Sequence, residues 1–306
     1  MLDNCVYKPK VSILLPVYNG EKTLARTIRS LLAQTYANFE LLIGLDGCND
    51  DSELVIRDFK DERIKLHKFN KNRGLGPTLN RLIYLSSSHS QYIAISEQDD
   101  FYFSLRIERQ VKYLDQNEEI GLVSGIAEFW NGRSSTKFPG LLVSGHQYPD
   151  GLEMFLFTYR EQIKVVNSAM MIRKSVHIQN GLYFTSHFPS ISVDWTYILR
   201  FSLLSGIRGL HEVLVQIDRR TERNSVTSNK LIQYQAAREL LRFIKYEFKH
   251  LLNTNDYKYA LNTQLILEFS CLRFSKLFIF FLLNLRIVLS DYRFINYILK
   301  RIKNAI

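Results

Sequence analysis

The sequence predicts an α/β fold: a mostly parallel sheet flanked by helices, followed by a helical C-terminal extension. Three features predict it. The first hundred residues alternate between apolar runs of strand length and stretches whose apolar residues recur every three to four positions. Each apolar run ends in a polar tip rich in Asn, Asp or Gly. Beyond residue 230 the pattern is helical throughout and rich in aromatics.

Residues 11–17 (Val-Ser-Ile-Leu-Leu-Pro-Val) form a buried-strand run closed by Tyr18-Asn19-Gly20. Leu24, Ile28, Leu31 and Leu32 then mark one helical face. Residues 39–45 are a second strand, stopped by Asp46-Gly47. Residues 50–60 read as a helix and 63–69 as a third strand. Leu75, Leu79, Leu82 and Ile83 define the next helix, and Pro77 fits only in its first turn. Residues 91–95 are a fourth strand. Alternation at this spacing builds right-handed βαβ units. Further on, Ile107, Val111 and Leu114 predict a helix over 104–117, and 121–126 a strand. Residues 137–149 predict a mobile loop, 165–173 a strand with polar Asn167-Ser168 inside it, 193–204 a helix and 213–217 a strand. The chain divides at this level into an α/β region, 1–230, and a helical region, 231–306.

Composition narrows the class. Of the 306 residues, 46% are hydrophobic and 23% charged, which excludes wholesale disorder. The 3 Cys are widely separated, so neither a structural zinc site nor a disulfide framework is expected, and a reducing compartment is. No signal peptide is expected from the polar first ten residues. The longest C-terminal apolar run, 277–283, falls far short of the about 20 residues a spanning helix needs. The net charge is +10, and residues 231–306 hold 12 Lys and Arg against 5 Asp and Glu. Phe274, Phe278, Phe281, Leu282 and Leu285 share a helical face there, followed by Tyr292, Phe294, Tyr297, Lys300, Arg301 and Lys303. Such a region suits an anionic membrane surface or a second subunit.

In a parallel sheet, ligands bind beyond the carboxyl ends of the strands. The tips there are Tyr18-Asn19, Asp46-Gly47, Asn72-Arg73-Gly74 and Glu97-Gln98-Asp99-Asp100. Three carboxylates within four residues repel one another, and a divalent cation removes that cost. Hard oxygen ligands suit Mg²⁺ or Mn²⁺. The Asp46 carboxylate can accept from an imide N–H, as in uracil, and Arg73 can meet a phosphate or a base.

Residues 11–19, then Leu45-Asp46-Gly47-Cys48-Asn49-Asp50, Asn72-Arg73-Gly74-Leu75 and Glu97-Gln98-Asp99-Asp100, in this order, resemble glycosyltransferase family 2. The resemblance covers roughly residues 10–230. It implies the GT-A fold, a Rossmann-like sheet, and an inverting hexosyltransferase using a nucleotide-sugar donor, UDP favoured. Pro16, Val17 and Tyr18 would line the nucleotide pocket, Asp46 would read the base, and Asp99 would hold the metal, Mn²⁺ or Mg²⁺. Glu97 stands where the family usually has Asp, Leu45 replaces an acid before Asp46, and Val193 replaces a Glu before Asp194. Asp194 would be the catalytic base. Asn167-Ser168-Ala169 would floor the acceptor site. Arg219 and Arg220 would close over the diphosphate, and Arg73, Glu97 and Gln98 complete the donor site.

The implied acceptor is a glycan or lipid-linked sugar in polysaccharide or lipopolysaccharide biosynthesis. The place is the cytoplasm, peripheral to the inner face of the membrane, with a homo-oligomer as the other use of the tail and no nucleic-acid partner. Two alternatives stand beside this reading. One is a nucleotidyltransferase, although Tyr18-Asn19-Gly20-Glu21 lacks its Gly-rich basic loop. The other is a degenerate nucleotide-binding partner subunit. No GxGxxG follows the first strand, which disfavours a dehydrogenase.

Overall fold

The computed structural model describes residues 10–138, 147–185, 193–219, 230–270, 285 and 291–303. The chain forms two compact units, Met1–Phe155 with Lys164–Ser225, and Leu156–Ile163 with Val226–Ile306.

The first unit opens with the alternation expected: β1 (Lys10–Val17), α1 (Leu24–Leu32), β2 (Phe39–Asp46), α2 (Ser52–Arg57), β3 (Ile64–Phe69), α3 (Leu75–Leu85) and β4 (Ser90–Ile95). β1 pairs in parallel with β2 and β4, and β2 with β3. All eight residues of β2 are buried, the mark of a strand covered on both faces. Val17 lies opposite Leu45, so the tips after β1 and β2 meet at one edge.

The second half is mixed. After β5 (Phe101–Tyr102) come α4 (Arg106–Gln116), β6 (Ile120–Trp130), β7 (Ser135–Phe138) and α5 (Gly151–Glu161). A 3-10 turn (Asn167–Ala169), β8 (Met171–Arg173), α6 (Lys174–Gln179), α7 (Val193–Ser202) and β9 (Gly206–Asp218) follow. The sheet runs β3-β2-β1-β4-β8-β6-β9-β5, with β7 on β6. β8 is antiparallel to both neighbours, while β6 and β9 are parallel. The expected strand over 165–173 is therefore shortened. Its polar Asn167-Ser168 turn the chain before three residues pair as β8. Helices α5 and α6 were not legible from periodicity. The loop expected over 137–149 begins inside β7, and its 139–146 part lies outside the described residues.

The second unit contains α8 (Lys230–Glu247), α9 (Thr254–Ser270) and α10 (Tyr292–Lys303). Leu265, Phe269 and Phe294 form its small core. Ion pairs Arg160–Asp256 and Arg238–Glu268 cross between segments. The Tyr159 hydroxyl donates to the Leu241 carbonyl at 2.9 Å. No described helix is long and apolar enough to cross a membrane. The apolar face expected at Phe274, Phe278, Phe281 and Leu282 lies outside the described residues.

One core contact makes the first unit acid-sensitive. His177 on α6 is 5% exposed, and its Nδ1 sits 2.9 Å from the Tyr197 hydroxyl. Burial, with help from the Lys174 charge, pushes the imidazole from 6.5 down to about 4. The unfolded chain takes up this proton near pH 6.5 and the folded chain does not. Stability from His177 is therefore complete above about pH 6.5 and falls as the pH drops toward about 4, by up to about 3 kcal/mol. Urea denaturation at about pH 7.5 and about pH 4.5 should show this loss, and His177→Gln should reduce it. An unchanged loss in the variant would assign the acid sensitivity to other groups.

Candidate active site

The loop after β4 is held by groups beneath it. Arg106, fully buried at the start of α4, donates to the Ile95 carbonyl at 2.7 Å, to Ser96 Oγ at 3.1 Å and to the Met170 carbonyl at 3.3 Å. Its guanidinium lies 4.6 Å from the Tyr102 ring centroid. Burial lowers its pKa to about 10, so it stays charged at neutral pH, helped by the Asp100 charge. The Glu97 amide donates to the Tyr102 hydroxyl at 2.6 Å. Thr27 Oγ1, on α1, shares its proton between the carbonyls of Gln98 and Asp100, at 2.9 and 2.8 Å.

On this platform the carboxylates of Glu97, Asp99 and Asp100 converge, with oxygens within 4.8 Å of one another. Burial first, then the Asp99 charge, push the Glu97 carboxyl up to about 7. The Asp194 charge adds to this, while Arg219 and the Asn167 amide pull it down. Glu97 is thus bonded to Asn167 and feels the charges of Asp99, Asp194 and Arg219, which come from separate segments. Three hard, repelling oxygen donors fit a divalent cation.

Asp194 stands in the first turn of α7. Burial raises its pKa, and the Lys164 charge and the amides of Trp195 and Asp194 itself lower it part of the way back. Arg219 follows β9, its guanidinium 4.6 Å from the Phe129 ring centroid. Arg220 lies outside the described residues.

The other strand tips flank this cluster. Pro16 and Val17 are buried in β1, so Tyr18, 46% exposed, is the one of the three with a side chain in solvent. Its backbone pairs with the Gln98 amide, N–H to Oε1 at 2.8 Å and Nε2 to the Tyr18 carbonyl at 3.0 Å. Gln98 therefore joins the β1 and β4 tips. Asp46 accepts from the Arg73 and Gly74 amides, both at 2.9 Å. Gly47 has φ +69°, and a Cβ there would run into the Lys71–Asn72 backbone. The Arg73 side chain lines an open cavity of about 370 Å³ with His67, Lys68 and Arg81.

Sequence reasoning missed Arg106, Tyr102, Thr27 and Lys164. Arg106 and Gln110 share a helix face with Ile107, Val111 and Leu114, and polar residues on an apolar face were the available signal. The expectation for Asn167 was the acceptor floor; the structure adds a bond from its Nδ2 to Glu97 Oε1 at 2.9 Å. Among the described residues the buried Asn167 Oδ1 has no hydrogen-bond partner, a state that costs about 1–3 kcal/mol.

The profile of glycosyl transferase family 2 matches residues 12–178. The chain belongs to this family. EpsE of Bacillus subtilis (strain 168), which carries a glycosyltransferase name, is 28% identical over 244 residues, 76% of this chain and 83% of EpsE. WfgD of Escherichia coli is named as a UDP-Glc:α-D-GlcNAc-diphosphoundecaprenol β-1,3-glucosyltransferase. It is 34% identical over 124 residues, 40% of this chain and 48% of WfgD. Residues 1–349 of S. aureus TarS, solved with UDP-GlcNAc, superpose with a TM-score of 0.62 at 16% identity, over 87% of this chain and 74% of that one. The mannosyltransferase PcManGT of Pyrobaculum calidifontis, solved with GDP-Man and Mn²⁺, gives 0.58 at 14% identity, over 98% and 88%. The family 2 chain thus has the GT-A fold and is a glycosyltransferase, and the nucleotidyltransferase alternative is withdrawn.

Removing the buried cation should expose how much the acid loop depends on it. Arg106→Leu takes the guanidinium donor from the Ile95 carbonyl and Ser96 Oγ, leaves the Met170 carbonyl to the Ile95 amide, and removes the buried counter-charge of Asp100. The expected loss of stability is about 3–5 kcal/mol in urea denaturation. A loss below about 1 kcal/mol would show that the loop is held by other groups.

Proposed function

We propose that the protein is a divalent-cation-dependent, inverting glycosyltransferase. It moves a sugar from a nucleoside diphosphate, UDP favoured, to a hydroxyl of a glycan or lipid-linked acceptor in bacterial surface-polysaccharide or lipopolysaccharide assembly. The observation that carries this reading is the acid cluster of Glu97, Asp99 and Asp100, with the charges of Asp194 and Arg219 acting on Glu97. The names of WfgD and EpsE, and the nucleotide sugars bound to TarS and PcManGT, support it.

Asp99 would hold the cation, Mn²⁺ or Mg²⁺, with Glu97 and Asp100 as further oxygen donors beside it. A cation bound there supplies Lewis-acid neutralisation of the leaving diphosphate. Arg219, joined by Arg220, adds positive charge on the diphosphate side. Tyr18 and Gln98 shape the nucleotide pocket with Pro16 and Val17 behind them. Asp46 and Arg73 meet the base. Asp194 accepts the proton of the acceptor hydroxyl as its oxygen bonds to the anomeric carbon. The bond from that carbon to the diphosphate oxygen breaks on the opposite face, which inverts the configuration. Burial raises the basicity of Asp194, while Lys164 and the helix amides keep it within reach of ionisation.

The second unit carries the tail's charge. On α10, Tyr292 (73% exposed), Ile295 and Leu299 (60%) fall at i, i+3 and i+7, an exposed apolar stripe on a helix that also contains Lys300, Arg301 and Lys303. This pattern supports peripheral binding of the 231–306 region to an anionic membrane face, where each basic residue adds about 1 kcal/mol. A cytoplasmic site next to a lipid-linked acceptor follows from it.

Three outcomes test the reading. Asp99→Asn should abolish Mn²⁺-dependent UDP binding in calorimetry, and parent-like binding would move the metal elsewhere. Asp194→Asn should keep UDP binding and lower transfer by about 10²–10⁴-fold. Binding without turnover in the parent itself would instead support a degenerate partner subunit. The protein should cosediment with vesicles containing anionic lipid, less so at high salt or after Lys300, Arg301 and Lys303 are changed to Gln. No vesicle binding, together with a dimer lost on removal of the tail, would make α10 a subunit contact.

A further inference from the structure

The 3-10 turn that carries Asn167 is clamped by buried side chains. Gln110 Nε2 donates to the Ala169 carbonyl at 2.6 Å, and Ser124 Oγ to the Val166 carbonyl at 3.0 Å. Arg106 reaches the Met170 carbonyl at 3.3 Å. These clamps fix the backbone. The Asn167 amide is then aimed at the acid cluster, with Nδ2 on Glu97 Oε1 at 2.9 Å and Oδ1 buried without a partner among the described residues. An Ala or Ser would keep the same turn and leave no orphaned oxygen. The residue is better explained by its bond to Glu97 than by the turn.

Glu97 has one methylene more than Asp99 and Asp100 beside it, hence one more torsion. Rotation about that torsion carries the carboxylate away from the cluster, whereas a working site is held to within about 0.5 Å. Among the described residues, Asn167 is the side-chain donor bonded to the Glu97 carboxylate. It is also neutral. A Lys or Arg in its place would neutralise Glu97 and remove charge that a cation needs; an amide orients the carboxylate and leaves its charge intact.

We propose that Asn167 is a positioning residue for sugar transfer, whose amide locks the longer Glu97 side chain onto the acid cluster. The inference rests on the reading of that cluster as the cation and diphosphate site. A double-mutant cycle over Asn167→Ala and Glu97→Asp tests it, with UDP affinity in Mn²⁺ by calorimetry and thermal midpoints as readouts. In the parent background, Asn167→Ala should weaken Mn²⁺-dependent UDP binding about 10–100-fold. The thermal midpoint without ligand should move little. In the Glu97→Asp background the same change should cost less than about threefold, because the shorter carboxylate no longer reaches the amide. Asn167→Ser, which keeps a small polar turn residue, should repeat the result and replaces the Ala variant if that fails to fold. Parent-like UDP binding by Asn167→Ala, or an equal loss in both backgrounds, overturns the inference. A parent protein that binds no UDP with Mn²⁺ removes the functional reading itself, and this inference with it.

Discussion

Arg106 is completely buried, and its guanidinium bonds to Ile95, Ser96 and Met170, which lie on two segments far apart in the chain. A cation taken out of water costs several kcal/mol unless its donors are met and an opposite charge is near. Both conditions hold. Carbonyl and hydroxyl oxygens fill the fork, Gln110 takes Nε at 3.2 Å, and the charge of Asp100 favours the protonated form. The dependence runs both ways. Without Arg106 the acid loop would carry three carboxylates over an apolar sheet with no buried counter-charge. Without the acids Arg106 would have little reason to be charged there.

The loop is fixed through its backbone, and its carboxylates are left to repel. Tyr102 takes the Glu97 amide, and Thr27 takes the Gln98 and Asp100 carbonyls. Gln98 ties the loop to the Tyr18 backbone. None of these bonds relieves the burial and the neighbouring Asp99 charge that raise Glu97 to about 7. A loop rigid in its main chain and strained in its charges is preorganised for a cation, because binding removes repulsion without rearranging the frame. The charges of Asp194, on α7, and Arg219, after β9, also act on Glu97, in opposite directions.

The parallel half of the sheet was legible because its strands are long, apolar and followed by helices with clear faces. The candidate site was legible for the same reason: Tyr18, Asp46, Arg73 and the acid loop all follow such strands directly. The other half carries weaker signals. β5 has two residues, β8 three and α6 six, too short for any period to show. The partner of Asn167 is 70 positions away, and no local pattern encodes it. Arg106 stands in the first turn of α4, and nothing in its local sequence marks it as buried. Its depth follows only from the packing of α4 beneath β4 and the 3-10 turn.

Donor recognition has a mechanical consequence on the β2 side. Both Asp46 oxygens already accept a backbone amide, from Arg73 and from Gly74, and each keeps a second lone pair. A base that donates to Asp46 therefore adds to bonds that already hold the 72–74 turn. Gly47, with φ +69°, lets that turn approach so closely that no side chain fits between. The Asp46 carboxylate accordingly fixes the backbone of Arg73 and Gly74. Glu97 and Asn167 repeat the same device on the β4 side, an acid paired with an amide donor that orients it and leaves its charge intact. At both flanks the carboxylates are held by neutral N–H donors. The negative charge of the site is thereby kept available, and among the described residues Arg219 sets a positive charge against it from beyond the end of β9.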